Sequence, residues 1–464
     1  MRETGAVTQQ VTIIGGGPGG YEAALVAARL GGSVTLIERD GMGGSTVLTD
    51  CVPSKTLIAT SDLMTDVGAS AELGVKVPAA VRPDLDAVNR RVLLLAQAQS
   101  ADIAQRLEAS GVTVLIGTAR LTDASTVVAT LSDGENRTIV SDAILVATGA
   151  HPRISADAQP DGERILTWEQ VYGLTAVPEH MIVVGSGVTG AEFASAYNGL
   201  GAHVTLVSSR DRVLPGEDGD AATVIENVFT RRGMTVLGHS RMESVQRTGD
   251  TVVVTLTDGR TVEGSHCLLA LGSIPNTADL GLEDVGVVLD DGGFIEVDRV
   301  SRTSVRGIYA AGDCTGVLML ASVAAHQGRI AISHLLGDAV RPLDLSTASS
   351  NVFTSPEIAT VGVTQRQVDE AEIVAEVAVL PLGSNARAKM QGVHDGFVKL
   401  FARPDAGTII GGVVVGPRAS ELIHVIALAV SASLTVDQVA NAFTVYPSLS
   451  GSIGEAARRL HRSV

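Results

Sequence analysis

The sequence predicts an α/β protein, and three observations carry that prediction. Apolar residues make up 45% of 464 positions, enough over this length to bury cores in about three domains. There are 51 glycines, a supply that suits a chain with many strand-to-helix turns. Most telling, one pattern occurs twice: a short apolar run, a glycine-rich turn and a helical stretch, first near residue 11 and again near residue 181.

Residues 11–14 (VTII) read as a strand, Gly15 to Gly20 (GGGPGG) as the turn, and 21–30 as a helix. This is the context that a GxGxxG match requires. Gly15 permits the turn, Gly17 lets the backbone approach a pyrophosphate, and Gly20 lets helix and strand pack closely. A second strand, 34–37, ends at Glu38, where a carboxylate should bond a ribose 2′-hydroxyl. The stretch 57–108 reads as mostly helical, 111–120 (GVTVLIGTAR) as strand, and 141–149 (SDAILVATG) as a turn, a strand and an Ala-Thr-Gly end.

The pattern then repeats with a strand at 181–184, Gly185-Ser186-Gly187-Val188-Thr189-Gly190, and a helix at 191–200. Gly185, Gly187 and Gly190 take the same three roles as their counterparts. Two such Rossmann-like units predict two dinucleotides, one flavin and one nicotinamide, and so a hydride-transferring enzyme. The next strand, 203–207, leads into Ser208-Ser209-Arg210. A carboxylate there would repel a 2′-phosphate, whereas hydroxyls and a guanidinium would bind it. NADPH is therefore the expected donor, with NADH accepted. The alternative, that Arg210 and Arg212 merely cover a solvated turn, stays open.

Composition excludes other classes. Aromatics are 3%, too few for stacking platforms on single-stranded nucleic acid, and a net charge of −17 repels phosphate backbones. Cys51, Cys267 and Cys314 lie far apart and offer no metal-ligand spacing, so no metal is expected. No apolar run approaches the roughly 20 residues of a membrane span. The nearest, 422–436, is broken by His424, Ser431 and Ser433 and reads as a buried helix. The opening MRETGAVTQQ lacks the basic start and apolar centre of a signal peptide. A cytoplasmic protein is expected, with a loose association with a membrane surface left open.

Gly43 to Lys55 (GGSTVLTDCVPSK) carries the chemistry. Pro53-Ser54-Lys55 looks like a helix start, where proline fits the first position and exposed N–H groups favour a thiolate. The segment resembles the redox-active peptide of the flavoprotein disulfide reductases, the family of lipoamide dehydrogenase, glutathione reductase and mercuric reductase. In that family a glycine pair precedes two cysteines five residues apart. Cys51 matches the second, flavin-proximal cysteine, and Thr46 stands where the first would be. The resemblance runs from Val11 to about Ala457, through 268–276 (LLALGSIPN), 307–314 (GIYAAGDC), 353–357 (FTSPE), 385–389 (NARAK) and 416–422 (GPRASEL). It implies an FAD-binding domain in two parts, 1–150 and 280–347, an NAD(P)-binding domain at 151–279, and an α+β dimerisation domain at 348–464.

The resemblance also implies site residues. Gly44, Lys55, Gly117, Ala119, Thr148, Gly149, Asp313, Leu320 and Ala321 join Gly15, Gly17, Gly20 and Glu38 at FAD, with Asp313 on a ribityl hydroxyl. Gly272 joins the nicotinamide set. Lys55 and Glu192 match a pair in which the ammonium lies near flavin N5 and the carboxylate near it and the nicotinamide. Cys314 reads as a small buried filler. The family's His-Pro-Thr-x-x-Glu-like acid–base segment corresponds to Tyr446-Pro447-Ser448-Leu449-Ser450-Gly451. Tyr446 can donate a hydrogen bond but is a poor base at neutral pH, and Glu455, one turn on, has no obvious partner. First cysteine, histidine and glutamate are all replaced. The expected function is an FAD-dependent NAD(P)H dehydrogenase passing electrons directly to a quinone, with Cys51 over the flavin and Tyr446 of the partner subunit roofing the pocket of a homodimer. This resembles the lipoamide-dehydrogenase-like NAD(P)H quinone reductases without the redox disulfide. The alternatives are a soluble pyridine nucleotide transhydrogenase, whose members keep the opposite cysteine, and a degenerate flavoprotein serving as a sensor or interaction partner.

Overall fold

The structure, a computed structural model, describes residues 8–77 and 81–461. Seven residues of the opening stretch read above as lacking a signal peptide lie outside the described residues. By internal contacts the chain divides into two units: Met1–Ser54, Arg90–Arg153 and Gly272–Asp344, and then Lys55–Asn89, Ile154–Leu271 and Leu345–Val464.

The first unit is built on a seven-stranded sheet. Its parallel part orders Ile308–Ala310, Ala143–Val146, Gln10–Ile14, Ser33–Glu38 and Thr113–Asp123 side by side, and Thr126–Leu131 and Asn136–Val140 continue it as an antiparallel meander. The central strands read as unbroken apolar runs because they are covered on both faces. On one side, helix α1 (Pro18–Arg29) lies against the sheet, with Ile13, Ala23, Ala27, Val34 and Leu36 in the core. On the other, Ile14, Ile37, Ile144 and Val146 pack with Ile295 and Ile308. Burying a Leu or Ile fully is worth about 1.5–3 kcal/mol, so these strands resist displacement and their carboxyl ends present the turns rigidly.

Helix α2 (Gly44–Leu48) and helix α3 (Cys51–Ala69) follow the second strand, and helix α4 (Leu85–Ala109) completes the helical stretch. Helix α3 begins two residues earlier than Pro53 suggests. Asp50 accepts from the Ser54 amide at 2.8 Å, and Pro53 is tolerated inside the first turn because amides there have no intrahelical acceptor.

The second unit holds a five-stranded, all-parallel sheet in the order Thr235–Leu237, His203–Val207, His180–Val184, His266–Leu269, Ile165–Thr167. Helix α5 (Val188–Gly199) and helix α6 (Gly219–Arg231) accompany it. Beyond Leu345 the same unit contains a five-stranded antiparallel sheet, with Ser349–Val352 at one edge and Glu376–Pro381 at the other. The helix Ala419–Ser431 packs on it through Ile423, Ile426 and Ala429. This is the helix read from sequence as buried. In the single chain its other face, with Val425 and Leu428, is exposed, because an amphipathic stripe fills only one side.

Candidate active site

Two glycine turns are the same joint made twice. In the first unit Gly15 has φ +103°, and a Cβ there would fall inside the Ala147 carbonyl; one at Gly20 would fall inside the Gly15 carbonyl. In the second unit Gly185 has φ +110° against the Ala270 carbonyl, and Gly190 meets Gly185 in the same way. Gly17 and Gly187 are the N-caps of α1 and α5, neither with a side-chain cap. Nothing lies within 4 Å of where their Cβ atoms would be. An open cradle at an uncapped helix N-terminus fits a pyrophosphate.

The strands beside the turns are also in register: Ile14 pairs Ile37 and Val184 pairs Val207, so Glu38 and Ser208 occupy equivalent positions. Buried Glu38 accepts from the Gly16 amide at 2.5 Å and from the Asp40 amide at 2.8 Å. At the second turn the Ser208 hydroxyl meets that of Ser186 at 2.7 Å and the Arg210 amide donates to it at 3.1 Å. Ser208 is fully buried and its hydroxyl is engaged within the turn, whereas Ser209, Arg210 and Arg212 are exposed.

In the first unit Gly44 and Thr148 lie beside the first turn. The Gly43 amide donates to the Gly16 carbonyl at 2.8 Å, and Gly44 packs on the Gly17 backbone. The Thr148 hydroxyl donates to the Asn276 carbonyl at 2.7 Å, and the Asn276 amide group returns a bond to Thr148 at 2.9 Å, so the Ala-Thr-Gly and Pro-Asn motifs are stapled together. Gly149 and Gly272 both have positive φ with open space beside them. A Cβ at Gly117 would strike the Thr130 carbonyl, and Ala119 is packed in the core. Burial, then Asp50, pushes the Asp313 carboxyl up to about 6. Leu320 is the uncapped N-cap of helix α7 (Ala321–Leu335). Cys314 is buried, and its thiol donates to the Ala311 carbonyl at 3.3 Å.

In the second unit Lys55 Nζ lies 2.7 Å from Glu192 Oε2, with the carboxylate side chain 4% and the lysine 29% exposed. The other carboxylate oxygen accepts from the Phe353 amide at 2.8 Å, and Lys55 Nζ stands 5.0 Å from the Phe353 ring centroid. Three residues along α5, Ser195 accepts from the Ser355 amide at 3.1 Å. Sequence reasoning missed Phe353 here. Its segment was visible, but a contact spanning 161 residues leaves no local signal. Tyr446 is 85% exposed, beside Phe443 and Val445. Glu455, unpartnered in the sequence reading, is bonded by Arg458 at 2.7 Å.

Cys51 is the first residue of α3, and Cys51, Cys267 and Cys314 are all thiols. Among the described residues no group of three or more His, Cys, Asp or Glu side chains could hold a metal ion, and no helix is long and apolar enough to cross a membrane.

Comparison with known proteins agrees with this geometry. Residues 9–328 match the pyridine nucleotide-disulphide oxidoreductase family, and residues 348–457 match the dimerisation domain of the same family. A Mycobacterium tuberculosis protein named NAD(P)H dehydrogenase (quinone) is 54% identical over 461 residues, covering 97% of this chain and 94% of its own. The crystal structure of LpdA from Mycobacterium tuberculosis superposes with a TM-score of 0.95 at 54% identity, covering 98% of this chain and 100% of that one. A dihydrolipoyl dehydrogenase from Chlamydia pneumoniae is 33% identical over 446 residues, 96% of this chain and 95% of its own. The chain belongs to the pyridine nucleotide-disulphide oxidoreductase family and is an oxidoreductase carrying that family's dimerisation domain; the family implies FAD and NAD(P)H.

Proposed function

We propose that this oxidoreductase is an NAD(P)H:quinone oxidoreductase that works without a redox-active disulfide and prefers NADPH. Bound FAD would supply the two-electron centre between the nicotinamide and the quinone. The observation that carries the reading is the Lys55–Glu192 pair at 2.7 Å; the resemblance supports it by implying that the thiol relay is missing. Thr46 stands in the position of the first cysteine, and Tyr446 and Gly451 replace the acid–base pair. The name of the Mycobacterium tuberculosis relative supports the same acceptor class.

Each residue then has a task. The uncapped turns at Gly17 and Gly187 take the two pyrophosphates, and Glu38, Thr148, Gly149 and Asp313 hold FAD. Lys55 brings a positive charge that favours the reduced flavin, and Glu192 holds the ammonium in place. Ser209 and Arg210 recognise the 2′-phosphate. Tyr446 of the partner subunit donates a hydrogen bond to a quinone oxygen, a role that suits a hydroxyl left exposed in the single chain. The division into an FAD-binding domain at 1–150 and 280–347, an NAD(P)-binding domain at 151–279 and a dimerisation domain at 348–464 is part of this proposal, as is a cytoplasmic homodimer.

Anaerobic reductive titration tests the reading. With flavin the only two-electron centre, uptake saturates at about two electrons per subunit; uptake of four would mean a disulfide exists and would end the proposal. Turnover of a naphthoquinone, with an oxidised nicotinamide analogue left unreduced, separates quinone reduction from transhydrogenation.

A further inference from the structure

The Lys55–Glu192 pair is held from a third direction. The strand Ser349–Val352 runs directly into Phe353, whose amide donates to Glu192 Oε1 at 2.8 Å while its ring stands 5.0 Å from Lys55 Nζ. Two residues on, the Ser355 amide donates to Ser195 at 3.1 Å, and the Arg232 guanidinium donates to the Ser355 carbonyl at 3.0 Å. Segment 353–355 is thereby fastened along α5 at positions one helical turn apart, and its aromatic ring faces the ammonium. An aromatic face attracts a cation through its quadrupole, more strongly where water is partly excluded, as it is around a lysine that is mostly covered. The amide fixes one oxygen of Glu192 and leaves the other for Lys55, so a single residue orients both charges.

We infer that Phe353 is a positioning residue that sets the geometry of the Lys55–Glu192 pair and thereby tunes the flavin. The inference rests on the proposed placement of Lys55 near the flavin. A swung-out ammonium stabilises the reduced state less, so losing the ring makes the flavin harder to reduce.

The test uses the FAD-loaded dimer and spectroelectrochemical titration, which needs no nicotinamide. In Phe353→Leu the reduction equilibrium falls about three- to tenfold, the span of a partly covered cation–π contact, or about 15–30 mV for a two-electron couple. Phe353→Tyr, which keeps the ring, stays at the wild-type potential. In a Lys55→Gln background Phe353→Leu adds no shift, because the effect passes through the ammonium. An unchanged potential in Phe353→Leu, an equal shift in Phe353→Tyr, or a full shift in the Lys55→Gln background overturns the inference. Reduction of the wild-type flavin by NADPH is scored separately; its failure refutes the proposed function and leaves the potentials to decide the role of Phe353.

Discussion

Replacing Lys399 by methionine should destabilise the second unit by about 3–5 kcal/mol, the range for removing one member of a buried ion pair. The Lys399 side chain is 1% exposed, with its ammonium 2.8 and 3.0 Å from the Asp218 carboxylate oxygens and 2.7 Å from Asp220. The two aspartates do not count equally. Asp220 is 68% exposed and can be rehydrated, so its share falls within the ~0–1 kcal/mol of a surface pair. Asp218 is 3% exposed and caps α6 by accepting from the Asp220 and Ala221 amides at 3.0 and 3.2 Å. Without the ammonium its charge stays buried with only those amides. Urea unfolding at fixed protein concentration, followed by far-ultraviolet circular dichroism, gives the midpoint shift at constant slope. Adding Asp218→Asn should recover more than half the loss, since asparagine keeps the capping acceptor and removes the stranded charge. A Lys399→Met midpoint equivalent to less than about 1 kcal/mol, or a double variant weaker than the single, would refute the argument.

Burial, then Glu357 and Asp66, pushes the Asp62 carboxyl up to about 6, against the pull of Arg232. Its folded pKa exceeds its unfolded one, so its stabilising contribution is complete below the ordinary carboxylate range and lost as pH rises through about 6. Asp62→Asn should therefore stabilise at pH near 8 by about 1–2 kcal/mol and give no gain near pH 4, read as melting temperature against pH. Arg210→Ala should lower kcat/KM for NADPH about tenfold, one charge-assisted hydrogen bond, and leave NADH within about twofold; equal losses would mean that Arg210 only covers the turn. Cys51→Ser should keep quinone turnover within about threefold, because a loss near a thousandfold is expected only where the thiol is the nucleophile. Steady-state rates with a naphthoquinone decide it.

What was legible in the sequence was local chemistry. Both glycine turns and the strand His203–Val207 stand where the residue pattern put them, because glycine spacing and apolar runs act within a few residues. Burial and distant partners were less legible. A serine after a strand gives no sequence signal of its partners, and the Ser186 hydroxyl 2.7 Å from Ser208 is visible only in the fold. The helix Ala419–Ser431 is apolar enough to read as enclosed, yet which face meets its sheet depends on register. Phe353 and Lys399 act across 161 and 181 residues, where no periodicity reaches.

The matched joints at Gly15 and Gly185 make the molecule its own control experiment. At one a carboxylate closes the corner, at the other a pair of hydroxyls does, and the backbone around each is alike. Closing the corner therefore does not require a charge. The same strand register thus tolerates an anion at one corner and two neutral hydroxyls at the other, with the glycine backbone unchanged between them.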